Sequence, residues 1–409
     1  MMTVDKIREC FPTLSRKVYG KDLVYFDNAA TSQRSQSVID EWNRISNESN
    51  ANIHRAVHRL ADEATQAYEA SRDAVREYLN AEFREEIIFT AGTTSAINLV
   101  AFSFGEAFVG EGDEIIVSEA EHHSDIVPWQ MLCQRKGAVL KVLPVDDSGH
   151  LKIDILDELL SEKTRIVAVT HISNVLGIIN PVHEIISKCH SYDVPVLIDG
   201  AQGIVHCDVD VREMDCDFYV FSGHKMYAAT GTGVLYGKKK WLDLMPPYMG
   251  GGEMVGTVSF SETTYAPLPM KFEAGTQNFA SAATLKPAID IVKLLNNKEL
   301  SIYYEHIRDY VLNALLADER ITLYGVPRGT NSEKIPLFSF TVKGIHHEDL
   351  ALILDKMGIA VRSGQMCAEP LMDRYGVTGM LRVSLAPYNT IEEAEYFIKC
   401  LNRAIDMLM

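Results

Sequence analysis

Lys225 is the residue whose type and position point most directly to covalent chemistry. Residues 218–221 form an apolar run, and Ser222, His224 and Lys225 follow it almost at once. Desolvation at the mouth of a buried strand lowers the pKa of a lysine amine, which can then attack a carbonyl group. A lysine after a strand is often only a solvated loop charge, so this motif needs support from the rest of the chain.

Two other predicted strands also end in side chains that could hold a ligand. Residues 87–90 precede Thr93 and Thr94, whose hydroxyl and N–H groups at a helix start could bind a phosphate or only cap the helix. Residues 114–118 precede His122, which could lie at the surface or stack on a planar ring.

An amide and an acid follow two further predicted strands. Asn174 comes after residues 166–170, and its amide could donate to a substrate carboxylate or cap a turn. Asp199 closes the strand at 194–199, where a buried carboxylate is costly unless it meets a cation. A protonated pyridine nitrogen is such a cation. The five strand ends together match the needs of pyridoxal 5'-phosphate (PLP).

The elements that position these residues alternate regularly between strand and helix. This alternation predicts an α/β fold with a mostly parallel sheet covered by helices, and ligands in such sheets bind beyond the carboxyl ends of the strands. The predicted strands are 87–90, 114–118, 139–143, 166–170, 194–199 and 218–222, and the helices between them are 95–108, 126–136, 154–160 and 182–192.

The pattern changes near residue 290, which predicts a second domain. We expect an N-terminal arm and helix at 1–19, a large domain at 20–290 and a smaller α+β domain at 291–409. The smaller domain is predicted to contain one long helix at 289–316, helices at 347–357 and 391–408, and strands at 337–342, 359–362 and 381–385.

Composition and charge exclude several classes of partner. The net charge of -17 argues against nucleic acid and anionic membranes, and no apolar run is long enough to span a bilayer. The N-terminus carries charges where a signal peptide would be apolar, so we expect a cytoplasmic protein. Seven scattered cysteines without a CxxC pair favour neither disulfides nor a metal site.

With these motifs in view, the chain resembles class V, fold-type I PLP enzymes and most closely the SufS-type (group II) cysteine desulfurases. This resemblance implies a large domain with a sheet of the seven-stranded type and a homodimer. It rests on motifs from end to end of the chain, at residues 27–30, 54–55, 92–94, 121–123, 126–130, 171–177, 199–202, 221–225, 272–276 and 362–368.

The resemblance also implies a role for each cofactor-binding residue. Lys225 forms the Schiff base with PLP, His122 stacks on its ring, and Asp199 pairs with the pyridinium. Gln202 faces the ring hydroxyl. The phosphate is held by Thr93, Thr94, Ser222 and His224, and by Thr276 from the other subunit.

The implied reaction converts L-cysteine to L-alanine and leaves the sulfur as a persulfide on Cys367 for iron–sulfur cluster assembly. Asn174 and Arg382 bind the substrate carboxylate, and Ala29 and His54 complete the substrate site. Lys225 removes the α-proton. The implied sulfur acceptor is a protein of the SufE or SufU type.

The sequence departs from the family pattern in three places. Gln365 and Met366 stand where two histidines usually precede the cysteine, so His122 becomes the better candidate for a base. Ala228 and Ala229 replace Gly-Pro, and Asp125 replaces asparagine. Arg362 could favour the thiolate of the cysteine or form a structural ion pair.

Three alternatives remain open at the level of sequence. A selenocysteine lyase would use the same fold on L-selenocysteine. A class V aminotransferase would need no thiol and would leave Cys367 as an ordinary loop residue. A scaffold without enzymatic activity would bind no PLP.

Overall fold

The N-terminal segment crosses from one half of the molecule to the other. The structure is a computed structural model that describes residues 4–409, so the first three residues of the predicted arm lie outside the described part. The segment contains α1 (Val4–Glu9), β1 (Lys17–Val18), β2 (Lys21–Asp22), β3 (Val24–Tyr25), α2 (Gln36–Glu48) and α3 (Arg59–Tyr78). β3 pairs with a strand of the C-terminal half, as described below.

Seven strands form the central sheet. They are β4 (Ile87–Thr90), β5 (Glu114–Ser118), β6 (Val139–Leu143), β7 (Thr164–Thr170), β8 (Val196–Asp199), β9 (Phe218–Ser222) and β10 (Gly233–Gly237). Their order is β4-β10-β9-β8-β7-β5-β6, and only β10 runs antiparallel to its neighbours. The predicted α/β class with a mostly parallel sheet is confirmed.

Side chains of the central strands alternate between two apolar cores, one on each face of the sheet. On β8, Ile198 packs into one core and Leu197 into the other, as the two-residue period of a strand requires. The connecting helices cover both faces: α4 (Thr93–Phe108), α5 (Val127–Lys136), α6 (Leu156–Leu159), α7 (Val182–His190), α8 (Gly203–His206), α9 (Val211–Met214) and α10 (Lys239–Leu244). This burial fixes the strand ends that carry the predicted site residues.

A hairpin and three helices follow the central sheet. They are β11 (Val255–Val258), β12 (Thr263–Tyr265), α11 (Phe279–Ala283), α12 (Leu285–Leu295) and α13 (Lys298–Leu316). The prediction of one helix at 289–316 is wrong, because the helical conformation is interrupted between α12 and α13. Asn297 caps α13 by accepting a hydrogen bond from the backbone N–H of Leu300 at 3.1 Å. The domain boundary at residue 290 falls within α12 and stays a prediction.

The C-terminal part contains a four-stranded antiparallel sheet. Its elements are β13 (Ile321–Tyr324), β14 (Leu337–Val342), α14 (His347–Lys356), β15 (Ile359–Ala360), β16 (Arg362–Gly364), α15 (Glu369–Tyr375), β17 (Met380–Ser384) and α16 (Ile391–Leu408). The sheet order is β13-β14-β17-β16, while β15 pairs in parallel with β3. The single strand predicted at 359–362 is therefore two strands in different sheets. No helix within residues 4–409 is both long and apolar enough to cross a membrane.

Candidate active site

One cavity of about 510 Å³ collects most of the predicted site residues at the carboxyl ends of the central strands. The first turn of α4, the ends of β8 and β9 and the loop after β16 all contribute to its wall. The predicted residues that line it are Ala29, Thr93, Thr94, His122, Asn174, Asp199, Ser222, His224, Lys225, Cys367 and Arg382. The structure therefore brings cofactor, substrate and thiol residues to one place.

Three predicted residues lie outside this cavity. Gln202 lines a narrow gap behind it, together with Ala29 and Lys225, and its amide donates to the carbonyl of Ala29 at 2.8 Å. His54 borders a separate surface pocket and lies 3.0 Å from Glu69. Thr276 does not line the cavity of its own chain.

The start of α4 forms a small polar cup. Ser222 Oγ lies 2.8 Å from both the backbone nitrogen and the hydroxyl of Thr93, and Thr94 Oγ1 lies 2.7 Å from Ser124 Oγ. Gly92 precedes the helix with φ +151°, and a Cβ there would lie 3.2 Å from Ser222 Oγ. N–H groups at a helix start, hydroxyls and a glycine that leaves space are what a phosphate requires.

Lys225 and Asp199 lie at the ends of β9 and β8, and each affects the pKa of the other. Burial lowers the pKa of the Lys225 amine, and the charge of Asp199 partly offsets that effect. Burial raises the pKa of Asp199, and Lys225 opposes this shift. A lysine with a lowered pKa suits a nucleophilic amine, and a carboxylate at this depth suits a cationic partner.

His122 is a neutral imidazole in the same cavity. Burial and the charge of Lys225 lower the pKa of its ring to about 4. Its Nδ1 accepts a hydrogen bond from the backbone N–H of Ser124 at 3.0 Å, which assigns the ring proton to Nε2. An uncharged ring of fixed orientation suits stacking on a cofactor.

Arg382 brings a buried guanidinium to the substrate side of the cavity. Its Nη1 donates to the carbonyl of Asn174 at 2.8 Å, and its Nη2 lies 3.3 Å from Asp27 Oδ1. Its Nε is buried and has no partner among the described residues. An unpaired donor of this kind would be satisfied by a substrate carboxylate.

Asp27 is a site residue that the sequence reasoning did not identify. It forms ion pairs with both Arg362, at 3.1 Å, and Arg382, which lie opposite each other on β16 and β17. Of the two roles considered for Arg362, the ion pair is therefore observed. The available signal was the position of Asp27 directly after the apolar run at residues 23–26.

The loop that carries Cys367 is held by side chains and backbone from two other strand ends. The Asn174 amide donates to the carbonyl of Met366 at 2.8 Å, and the backbone N–H of His123 donates to the carbonyl of Cys367 at 2.7 Å. His123 Nε2 accepts from the backbone N–H of Glu369 at 3.0 Å. Met366 and Cys367 both have left-handed φ values, +56° and +54°, so these bonds maintain an otherwise unfavourable backbone.

Known proteins with similar sequences place this site in a family. The family model for class-V aminotransferases matches residues 24–397. The chain belongs to the class-V aminotransferase family. It is 44% identical over 408 residues, the whole of both chains, to a probable cysteine desulfurase of Vibrio cholerae. It is 45% identical over 402 residues, covering 98% of each chain, to a cysteine desulfurase of Escherichia coli.

Solved structures agree with this assignment. The cysteine desulfurase CsdA of Escherichia coli, in an S-sulfonic acid form, superposes with a TM-score of 0.91 at 37% identity and full coverage of both chains. The apo cysteine desulfurase of Thermococcus onnurineus gives 0.92 at 34% identity, covering 99% of this chain and 98% of the other. The predicted family and fold type are confirmed.

PLP is the cofactor of this family, and the predicted cofactor is confirmed. The cavity fits it on its own geometry. The glycine-lined cup fits the phosphate, and the buried carboxylate of Asp199 fits the ring nitrogen. The amine of Lys225 fits the aldehyde.

Proposed function

We propose that this chain is a cysteine desulfurase that converts L-cysteine to L-alanine and keeps the sulfur on Cys367. The observation that carries the proposal is that Cys367, Lys225 and Arg382 line one cavity. A thiol, an amine and a carboxylate-binding cation are the three groups that this reaction needs from the protein.

In this proposal, PLP is held by residues of the sheet and of the α4 cup. Thr93, Thr94, Ser222 and His224 would hold the phosphate, Asp199 would pair with the ring nitrogen, Gln202 with the ring hydroxyl, and His122 would stack on the ring. The bound cofactor supplies an electron sink at the amino-acid carbon. Lys225 would anchor it covalently through its amine.

The chain's own groups then orient the substrate and move its protons. Arg382 and Asn174 bind the carboxylate, with Ala29 close to the substrate. The Lys225 amine takes the α-proton, and the Cys367 thiolate attacks the substrate sulfur. The carbon–sulfur bond breaks, a sulfur–sulfur bond forms on Cys367, and protonation of the carbon yields alanine.

The other predicted partners complete this proposal. We infer a cytoplasmic homodimer in which Thr276 and His54 serve the site of the partner subunit, since neither reaches the cavity of its own chain. Cys367 is exposed and can pass its sulfur to an acceptor protein of the SufE or SufU type for iron–sulfur cluster assembly.

Mass spectrometry of the holoenzyme after incubation with L-cysteine tests the proposal. We expect an added sulfur atom on Cys367 and release of alanine, and the C367A variant should release none. The C10A variant is a matched control, because Cys10 is partly exposed and lies far from Cys367 in the sequence. This variant should behave like the parent. An unmodified Cys367 during full turnover would refute the mechanism.

The same variants separate the remaining candidates. Loss of turnover on L-cysteine alone, with turnover on L-selenocysteine retained, is the result expected of C367A in a desulfurase rather than in a selenocysteine lyase. Full turnover that depends on a keto acid would indicate an aminotransferase. A protein without the visible absorbance of bound PLP would be a scaffold rather than an enzyme.

A further inference from the structure

Two buried carboxyl groups, Glu121 and Asp125, flank the two histidines of the active-site loop. Both residues are fully buried. Glu121 Oε1 accepts from the backbone N–H of Thr170 at 2.8 Å and from the hydroxyl of Ser118. Asp125 Oδ1 accepts from the indole N–H of Trp129 at 2.8 Å.

The second oxygen of each carboxyl group finds no donor in the described residues. Glu121 Oε2 and Asp125 Oδ2 are both buried and unpaired. The two side chains do lie within hydrogen-bonding reach of each other. Two carboxylate oxygens repel each other, whereas a carboxylic acid donates to a carboxylate, so this geometry requires one proton between them.

The surroundings favour keeping that proton. The other charged group acting on both carboxyls is Asp199 at the end of β8, which is also acidic. The neighbours that contact the pair from β5, β7 and α5 are Ser118, Thr170 and Trp129, which carry no charge. Burial raises the pKa of Glu121 to about 8 and that of Asp125 well above its usual range.

The two acids lie on either side of the loop segment that contains both histidines, so a contact between them would hold this segment in place. His122 and His123 lie between Glu121 and Asp125 in the chain. His122 faces the cofactor cavity, and His123 holds the Cys367 loop through two hydrogen bonds, at 2.7 and 3.0 Å. A shift of this loop would therefore move the ring-stacking residue and the thiol together.

We propose that one proton shared by Glu121 and Asp125 positions His122 and His123, and through them the cofactor ring and Cys367. Both acids are positioning residues, since they contact neither substrate nor cofactor site. The inference rests on the proposed desulfurase function only for its kinetic consequence. The shared proton is a property of the folded chain.

The pH dependence follows from the sign of these shifts. Because burial raises the pKa values of both acids, the pair keeps its proton at neutral pH and the loop stays in place. As the pH rises further, the proton leaves, two negative charges face each other beside Asp199, and the loop opens. Alanine formation should therefore fall on the alkaline side, apart from any effect of other groups that titrate there.

The D125N variant tests this directly, because an asparagine amide donates the same hydrogen bond and does not titrate. The infrared spectrum of the holoenzyme at pH 7 should contain the C=O band of a protonated carboxyl group that D125N lacks. This band should disappear as the pH rises. The alkaline fall in kcat should be shifted up or lost in D125N, with activity at pH 7 within about twofold of the parent.

The D125L variant removes the contact between the two carboxyl groups, because leucine has a similar size but cannot donate a hydrogen bond to Glu121. We expect its kcat to fall about tenfold or more at every pH, since misplacement of reacting groups is costly. If D125L does not fold, the D125N comparison still decides. Absence of the carboxyl band, or identical alkaline limbs in the parent and D125N, would overturn the proposal. A parent that releases no alanine but shows the band would instead refute only the proposed function.

Discussion

The ion pair between Arg72 and Glu273 is the feature whose removal should destabilise the fold most clearly. Both side chains are fully buried, and their two contacts measure 2.7 and 2.9 Å. Glu273 also accepts from the Tyr68 hydroxyl at 2.8 Å and the Phe89 backbone at 2.7 Å. The pair joins α3 to the segment before Thr276, which we propose reaches the partner's site.

We expect the E273L variant to lose about 3–5 kcal/mol of unfolding free energy, because it leaves a buried guanidinium with only the partly exposed carboxylate of Glu69 as a counter-charge. Arg72 would retain only Glu69, at 3.0 Å, the carbonyl of Ile87, at 2.6 Å, and the faces of two aromatic rings. Urea unfolding followed by circular dichroism measures the loss, provided that it is reversible.

Two further variants make this measurement decisive. D73A removes a partner of Arg84 whose ion-pair distance, 2.8 Å, is similar to that of the Arg72–Glu273 pair. Here, however, the Arg84 side chain is 44% exposed and the Asp73 side chain 50% exposed. It should cost less than about 1 kcal/mol. The double variant R72M/E273L should be more stable than E273L, because it removes the stranded charge. A loss below about 1 kcal/mol in E273L, or a double variant less stable than E273L, would refute this reasoning.

Three other variants address the site. R382K should raise KM for L-cysteine by about tenfold or more in steady-state alanine release, because an ammonium cannot form the two-pronged contact with a carboxylate, and an unchanged KM would contradict its role. G92A should weaken PLP binding in a spectroscopic titration, since its φ is +151° and the new Cβ would press on Ser222, whereas G250A, with open space around it, should not. H123A should slow persulfide formation on Cys367 by about tenfold, while the visible absorbance of bound PLP is retained. Equal losses of the persulfide rate and of this absorbance would argue against a role confined to the cysteine loop.

The sequence was most informative where chemistry and periodicity coincide. Lys225, Asp199 and Thr93 each follow an apolar run, and buried runs of this kind end at one edge of a parallel sheet. The strand ends could therefore be grouped without knowing any distance. The order of the strands, including the antiparallel β10, could not be obtained in this way, because an apolar run does not reveal its neighbours.

What could not be predicted depends on contacts between residues far apart in the chain. Asp27 meets Arg382 only because β17 lies beside the segment after β3. The break between α12 and α13 depends on one capping side chain, Asn297, inside a pattern that is otherwise continuously helical. Local periodicity carries no information on either feature.

The structure also bears on how Cys367 works without histidines beside it. Gln365 carries an amide and Met366 a thioether, and neither group titrates, so neither can relay a proton. His123 does not replace them, because its Nε2 already accepts from the Glu369 backbone. Lys225 and Arg382 line the same cavity as Cys367. A thiolate is the form in which a cysteine attacks, and Arg382 is a buried cationic side chain that shares the cavity with Cys367. Substrate binding should therefore change the surroundings of the sulfur, since the substrate carboxylate would pair with the Arg382 guanidinium.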